Sequence, residues 1–361
     1  MEFTQDSWIN LPRSDRFNKI LELGLLIAAG EGLGKSPVGD YAFHKSIPHN
    51  FLSTYGRAKS VFCGGRAVRD QEMLNFIAGI TPNLFEINQR IETPIDLADR
   101  TRPWLEQSSN INLAGLHGYE ILAQVGTENT MKEFCLNHRT RRIRIKKGEW
   151  YYVPAILSAM NVNWAYLEDD ELSKNDAIMM SVPFFSTFEI PSNYDALMEE
   201  CCDKDIPVML DFCWSLLHRA FNLDISYSCI EVCSYTIGKF FPLEQIRLGF
   251  RLVRPDYLPD FDKMYTELRL SSWLTSELIG AFPPSYIVDK YFSLQHSWKD
   301  RLGLEPTNCV MSSILPDDAL WWNQHRIHGE LYPQNQFSMV SLYENEDLIQ
   351  EHCSWIQEGI N

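Results

Sequence analysis

Ile206-Pro207-Val208-Met209-Leu210-Asp211-Phe212 is an almost unbroken apolar run that ends beside a carboxylate. A strand with one wet face alternates apolar and polar side chains. A strand buried on both faces does not, so this run reads as an interior strand of a parallel sheet. Similar short segments flank it. Ala177–Val182 reads as a strand that stops at Pro183, and Cys229–Ser234 and Ile246–Val253 read as two more. Between the strands the pattern turns helical: Ser192 or Asn193 can cap a helix running to Asp203. Upstream, 113–137 reads as one helix, 140–146 as a strand with period-two alternation, and 152–161 as a helix. Strands alternating with helices of this size specify an α/β layer structure, a mostly parallel sheet covered by helices on both faces.

The two ends of the chain are different in kind. Residues 14–28 have the periodicity of one amphipathic helix, and 29–75 are rich in Gly, Pro and Ser. Beyond Pro255 come long helices, Met264–Gly280 and Pro284–Leu302, interrupted by Pro283-Pro284. The last stretch alternates around Phe337–Tyr343 and closes with a helix from Glu346 to Ile356. A chain of 361 residues exceeds the roughly 100–200 expected of one domain. The expected division is a large domain over 76–255 and a smaller α+β domain built from both ends, 1–75 and 256–361.

Composition narrows the function classes. With 32 Lys and Arg against 48 Asp and Glu, the net charge is −16, whereas nucleic-acid binding needs a basic surface that displaces counterions. The nine cysteines are not densely spaced, and no CxxC accompanies the adjacent pair Cys201-Cys202, so reduced thiols in a reducing compartment are expected. The start of the chain lacks a basic region followed by an apolar one, and no apolar run approaches the ~20 residues that cross a bilayer. The reading is a cytoplasmic protein without membrane or nucleic-acid partners.

Several motifs dissolve on inspection. Gly30-Glu31-Gly32-Leu33-Gly34-Lys35-Ser36 resembles a phosphate-binding P-loop, but Ala29 stands where the first glycine is needed, and Pro37 and Gly39 prevent the following helix. His325 and His328 are three apart but have no further ligand at a recognisable spacing. The six basic residues of Arg139–Lys147 lie on a strand and read as a solvated face.

Asp211, Lys239 and Arg247 survive that test. Asp211 ends a buried strand, where an unpaired carboxylate is costly and a cationic partner is expected. The carboxyl ends of parallel strands are also where open α/β sheets hold ligands. Lys239 follows the next strand in Ser234-Tyr235-Thr236-Ile237-Gly238-Lys239-Phe240-Phe241, an apolar loop whose desolvation disfavours the ammonium form and suits Schiff-base formation. Arg247 opens the strand after that, suited to bidentate phosphate binding.

With these residues the chain resembles the fold-type-I enzymes that use pyridoxal 5′-phosphate (PLP), the aspartate aminotransferase-like family. That family carries Asp-x-x-Tyr at a strand end, then Ser-x-x-Lys, then Arg-x-Gly. Here Asp211-Phe-Cys-Trp214, Thr236-Ile-Gly-Lys239 and Arg247-Leu-Gly249 follow in that order. The resemblance covers roughly residues 110–303 clearly and the first 75 weakly. It implies the PLP-dependent transferase fold, with Lys239 as the Schiff-base lysine and Asp211 as partner of the pyridine nitrogen. It further implies phosphate binding by Arg247, Thr236 and a glycine loop at Gly115-Leu116, an aromatic stack from Trp150 (Tyr151 the alternate), and Trp214 in place of the tyrosine that bonds the cofactor's phenolic oxygen. Homodimers are the rule in that family, each site being completed by the neighbouring subunit, with Tyr55 the candidate for that reach.

The departures from the pattern bear on substrate. Val182-Pro183-Phe184-Phe185 stands where the family has an Asn-Pro turn, and Met339 falls where its carboxylate-gripping arginine is expected; Arg326 or Arg251 could replace it. The function implied is an aminotransferase acting on an amine or an unusual amino acid. The alternatives are a lyase or decarboxylase on the same scaffold, and a binding or regulatory protein that has kept only the fold.

Overall fold

β6 (Val208–Asp211) is fully buried along its length and pairs in parallel with β5 (Asp176–Ser181) on one side and β8 (Ile230–Thr236) on the other. The computed structural model describes residues 67–82, 97–150, 152–243, 246–257, 269–302, 305–314, 336–339 and 343. Among them, seven strands make one sheet, ordered β2 (Glu120–Gln124), β9 (Gly249–Val253), β8, β6, β5, β3 (Arg142–Ile145), β4 (Trp164–Tyr166). Only β9 runs against its neighbours, antiparallel to both β2 and β8. The other strands therefore all point their carboxyl ends the same way. A separate two-stranded parallel sheet joins β1 (Ile111–Ala114) to β7 (Phe221–Asp224).

The chain divides into two units, Gln71–Val288 and the pair Met1–Asp70 with Asp289–Asn361. In the first, α1 (Gln71–Gly79), α2 (Leu97–Glu106), α3 (Thr127–Asn137), α4 (Tyr152–Ala159), α5 (Tyr194–Asp203) and α6 (Arg269–Ala281) accompany the sheet. Phe134 of α3 and Leu157 of α4 are fully buried in one core cluster with Ile143, Ile145, Met209 and Val232 from the strands. From α2, Trp104 sets its ring edge-on against Phe240 and Phe250, and its indole N–H donates to the Phe282 carbonyl at 2.7 Å. Burying the ring while bonding its one polar atom is the condition for a tryptophan in a core.

In the second unit, β10 (Glu305–Pro306), β11 (Ser312–Ile314) and β12 (Gln336–Ser338) form an antiparallel sheet. Gln295, on α7 (Tyr286–Leu302), donates to the carbonyls of Thr307, Cys309 and Ser312 and so ties that helix to the loop between β10 and β11. The Tyr291 and Tyr343 rings stack at 4.8 Å. Met339 is fully buried, and its N–H donates to the Met311 carbonyl. The glycine-rich loop at 30–36, the histidines at 325 and 328, Arg326 and the helices expected at 14–28 and 346–356 lie outside the described residues.

Two expectations need correction. The single helix expected over 113–137 is β1, a 3-10 turn (Leu116–Gly118), β2 and then α3. Gly115 and Gly126 have φ of +87° and +115°, outside the helical region, and the segment between them gains a partner that no local pattern reveals, β9. The basic strand is not a solvated face either. The Arg144 side chain is fully buried, pairing with Asp176 at 3.1 Å and donating to the carbonyls of Tyr166 at 2.7 Å and Asp170 at 2.9 Å. Arg142 forks onto Asp170 and Asp176. These contacts satisfy the turn after β4 from within, so the positive charges of β3 serve the fold.

A prediction follows from that burial. Arg144→Ala leaves Asp176 with one arginine instead of two and strips several carbonyls of their donor. Breaking a buried pair by removing one partner costs about 3–5 kcal/mol. The midpoint of urea unfolding should fall accordingly; a midpoint within error of wild type would show that Arg144 is dispensable.

Candidate functional site

The carboxyl ends of β5, β6 and β8 converge on Ser181, Asp211 and Thr236. Strand pairing places Ser181 opposite Asp211, and Asp211 opposite Ser234. Asp211 is only 8% exposed. Its Oδ1 accepts from the Cys213 N–H at 3.0 Å and the Thr127 hydroxyl at 3.1 Å, and it forms no ion pair among the described residues. Burial lifts its carboxyl to about 7, the nearby Glu149 charge adds to the rise, and Lys239 and the two hydrogen bonds oppose it. This is a buried acid without a cation in contact.

Behind it runs a polar relay. Ser234 Oγ donates to Thr127 Oγ1 at 2.9 Å, Thr127 and Thr236 share a hydroxyl contact at 2.9 Å, and Gln124 Nε2 donates to Ser234 Oγ at 2.8 Å. Interior side chains joined in this way have few other places to go, so the relay fixes the rotamer of Thr127 and thereby the Asp211 hydrogen bond.

Lys239 closes a 3-10 turn (Ile237–Lys239) that follows β8 directly. The fully buried Phe240 and Phe241 pin the loop after it. The Lys239 side chain is half-buried, with Nζ 5.6 Å from the centre of the Trp214 ring. Trp214 is 8% exposed and sits edge-on to Phe188 at 5.2 Å. A primary amine over an aromatic face, beside an unpartnered acid, is an arrangement that can condense with a carbonyl compound.

An anion cradle lies on the next side. Gly126 caps α3, and the Thr127 N–H at that helix start donates to Thr236 Oγ1 at 3.1 Å. A Cβ on Gly126 would lie 3.8 Å from the Arg247 guanidinium and 3.9 Å from the Thr236 hydroxyl. The Arg247 side chain is 63% exposed and pairs with Glu128 at 3.7 Å among the described residues. A helix amino end, a hydroxyl and an exposed guanidinium are together an anion site, because unpaired N–H groups and a fixed fork point at one place.

Gly115 and Leu116 are not part of it. They precede β2, whereas the cradle follows it. Tyr119, three residues beyond Leu116, donates from its hydroxyl to the Ile230 carbonyl at the amino end of β8, the opposite end of the sheet. Gly115 is a glycine for another reason: a Cβ there would meet the Ser226 backbone at 2.7 Å. The loop that occupies the expected place is Gly126-Thr127, hidden at the sequence level inside the helix expected over 113–137. The visible signal was a glycine at the helix start followed by an acidic first turn.

Trp150 follows β3, half-buried, its ring 5.1 Å from that of Tyr152. The residue before it, Glu149, was not singled out in the sequence and is 5% exposed. It accepts from the Ser181 N–H at 2.9 Å, from the Ser181 hydroxyl, and from the Trp150 N–H at 3.0 Å. Arg251 lies inside β9 and is paired with Glu133 rather than turned to a ligand. Tyr55 and Tyr151 lie outside the described residues. Groups of three or more His, Cys, Asp or Glu that could hold a metal are absent among the described residues, as are helices long and apolar enough to cross a membrane.

These residues fit PLP, the group that the resemblance implies. Asp211 is of the kind that would pair with a protonated pyridine nitrogen, Lys239 with an aldehyde, and the group at Gly126, Thr236 and Arg247 with a phosphate.

No family model matches the chain, and no curated protein sequence is similar to it. Solved structures are. MppP, soaked with the product 2-ketoarginine, is 14% identical, with 81% of this chain and 98% of that one covered at a TM-score of 0.57. An aminotransferase from Neisseria meningitidis is 11% identical, covering 85% and 98% at 0.56. The histidinol-phosphate aminotransferase from Clostridium acetobutylicum is 11% identical, covering 82% and 97% at 0.53. At such identities the common feature is the fold, and the fold is that of the fold-type-I aminotransferases, a mixed, mostly parallel sheet with flanking helices.

The Asp211 environment generates a pH prediction. The folded chain without ligand keeps a proton on this carboxyl up to about pH 7, whereas the unfolded chain loses it near the ordinary aspartate value of 3.8. Between those values Asp211 binds more protons in the folded state, so its contribution to stability falls as pH rises. Comparison with a variant lacking the carboxyl isolates that contribution from groups of opposite slope such as His218. Thermal melting of the unliganded protein at pH 5 and pH 8 should show that loss, and Asp211→Asn should flatten it. Equal slopes in both proteins would overturn the assignment.

Proposed function

We propose that the protein is a PLP-dependent enzyme of the aminotransferase type, acting on an amine or an unusual amino acid. The observation that carries this reading is the meeting, at one end of one sheet, of a buried unpaired acid, a lysine on an aromatic face and an anion cradle. PLP supplies an aldehyde that condenses with amines and a pyridine ring that withdraws electrons from the substrate's α-carbon.

The chain's own residues have separate tasks. Lys239 Nζ is the amine that would hold the aldehyde between turnovers, and the base that would take the proton from the substrate α-carbon. The Asp211 carboxylate accepts from the protonated ring nitrogen and keeps that proton in place. Arg247, the Thr236 hydroxyl and the amino end of α3 at Gly126 would hold the phosphate. Trp150 is the stacking residue and Trp214 the donor toward the phenolic oxygen, through its indole N–H. With Val182 in the position of the family's asparagine, that oxygen would have fewer donors; a lyase or decarboxylase on the same scaffold is the second reading. Product analysis with a panel of amines and amino acids separates the two.

Two predictions test the proposal. Purified protein should carry the visible absorbance of a PLP Schiff base, lost on borohydride reduction; Lys239→Ala should lack that band, and a mutant that keeps it through dialysis would remove Lys239 from the role. Trp150→Ala should loosen cofactor binding more than it slows turnover, because stacking acts on ground and transition states alike.

Assembly belongs to the same reading. We expect a homodimer, with Tyr55 as the residue reaching the neighbouring phosphate. Ile246 is 48% exposed beside Arg247, an apolar residue at the rim of the cradle where a second subunit would cover it. Light scattering should give twice the 41.9 kDa chain mass across a wide dilution range. A stable, PLP-loaded monomer at micromolar concentration would contradict the dimer.

A further inference from the structure

Asp211 is not the only buried acid at this end of the sheet. Glu149 reaches from the loop after β3 to Ser181, and Ser181 is the residue that strand pairing sets opposite Asp211. The two carboxylates thus hang from strand ends on either side of β5, with Ser181 between them, 5% and 8% exposed. They are not equally equipped. Glu149 accepts two backbone N–H groups and a hydroxyl, whereas Asp211 accepts one N–H and one hydroxyl. Donors stabilise the ionised form of a carboxylate, so when two acids interact at close quarters the better-served one keeps the charge and the other takes the proton.

We propose that Glu149 is a positioning residue that acts through Asp211, its buried carboxylate making this end of the site doubly acidic so that it takes an aromatic ring with a protonated nitrogen. This rests on the PLP reading and adds to it a residue that touches neither the ring nor the phosphate. In the empty site the pair holds one proton, mostly on Asp211. A cationic ring nitrogen in contact with Asp211 replaces that proton, and the Glu149 charge behind it strengthens the preference for the protonated ring over the neutral one.

The charged groups facing the pair are few. Lys239 faces Asp211 and favours its ionised form; Lys146 faces Glu149 and does the same there. Lys146 also lies 4.9 Å from the Phe184 ring centre. Burial pushes the Glu149 carboxyl upward, and its three hydrogen bonds resist. Glu149→Gln keeps the shape and removes the charge. Its single acceptor oxygen serves either the Ser181 N–H or the Trp150 N–H and Ser181 hydroxyl, not both sets, so a nitrogen-free ring analogue is the control for that loss.

Pyridoxine 5′-phosphate is the probe, because it carries the ring nitrogen and phosphate but no aldehyde and so reads the site without Lys239 chemistry. Its binding to the full-length protein is followed by tryptophan fluorescence across pH 5 to 9, beside an analogue with carbon in place of the ring nitrogen. Glu149→Gln should bind pyridoxine 5′-phosphate about tenfold more weakly near neutral pH, roughly the effect of one pKa unit. It should bind the nitrogen-free analogue as wild type does. The melting-temperature profile of the unliganded variant should shift its Asp211 transition to lower pH. If Glu149→Gln does not fold, Ser181→Ala, which removes one donor from Glu149, should show the same changes in smaller measure. Wild-type binding by both variants, with an unshifted pH profile, overturns the role of Glu149 while leaving the PLP reading intact. Equal weakening toward both probes overturns it also, marking a packing defect. Failure of the wild-type protein to bind pyridoxine 5′-phosphate at all overturns both.

Discussion

A carboxylate buried at the end of a central strand needs a reason to be there, and most of the candidate site can be described as the answer to Asp211. Its strand is covered on both faces, which denies it water. Among the described residues its direct donors are a backbone N–H two residues on and a threonine hydroxyl from the start of α3. That hydroxyl is in turn held by Ser234 and Thr236 from β8, the strand that leads to Lys239. The acid, the lysine loop and the helix amino end are therefore coupled through one threonine. Desolvation of this order is tolerated in a fold only where something repays it, and a cationic ring nitrogen is of the right charge and size.

The sheet makes this coupling possible. Because β2, β8, β6, β5 and β3 all point the same way, their following loops gather at one end, and each contributes a different group: the Gly126 cradle, Lys239, Asp211, Ser181 and the Glu149-Trp150 pair. The reversed β9 brings Arg247 back to that end, since the residues before an antiparallel strand lie where those after a parallel strand lie. Gly249 allows the close approach there: a Cβ on it would sit 2.1 Å from the Tyr235 carbonyl oxygen. Ligand sites of open α/β sheets lie at this end for the same reason.

Elsewhere the chain spends charge on structure. The β3 arginines and Asp170 and Asp176 form a network that closes the turn after β4, in which hydrogen bonds between them hold the Asp170 and Asp176 carboxyls low and Arg142 high. Buried cysteines such as Cys135 and Cys201 have thiols pushed up to about 12 by burial, which leaves them protonated and unreactive. Strong perturbation alone is thus a poor guide to function in this molecule. What separates Asp211 from Asp176 is that the latter's charge is already answered by two arginines.

Much of this was legible in one dimension. An apolar run ending in aspartate, a lysine in an apolar loop after the next strand, and an arginine eight residues on were enough to indicate a mostly parallel sheet with Asp211, Lys239, Thr236 and Arg247 near one another, because strand burial and strand-end chemistry are local properties that a sequence displays. Trp214 came only from the resemblance, as the residue standing where the family has its tyrosine. The glycine loop was not, because Gly115 and Gly126 are equally plausible until β2 finds β9 and shows which lies at the carboxyl end. Arg144 was misread because the acids and carbonyls that bury it come from residues 166 to 176, beyond any local period. Glu149 was invisible for the same reason. A glutamate after a strand carries no mark of burial, and only the pairing of Ser181 with Asp211 across two strands turned it into half of an acidic pair. Local pattern settles which residues end strands; which strand ends stand side by side is decided by long-range pairing, and the electrostatics of the site depend on that.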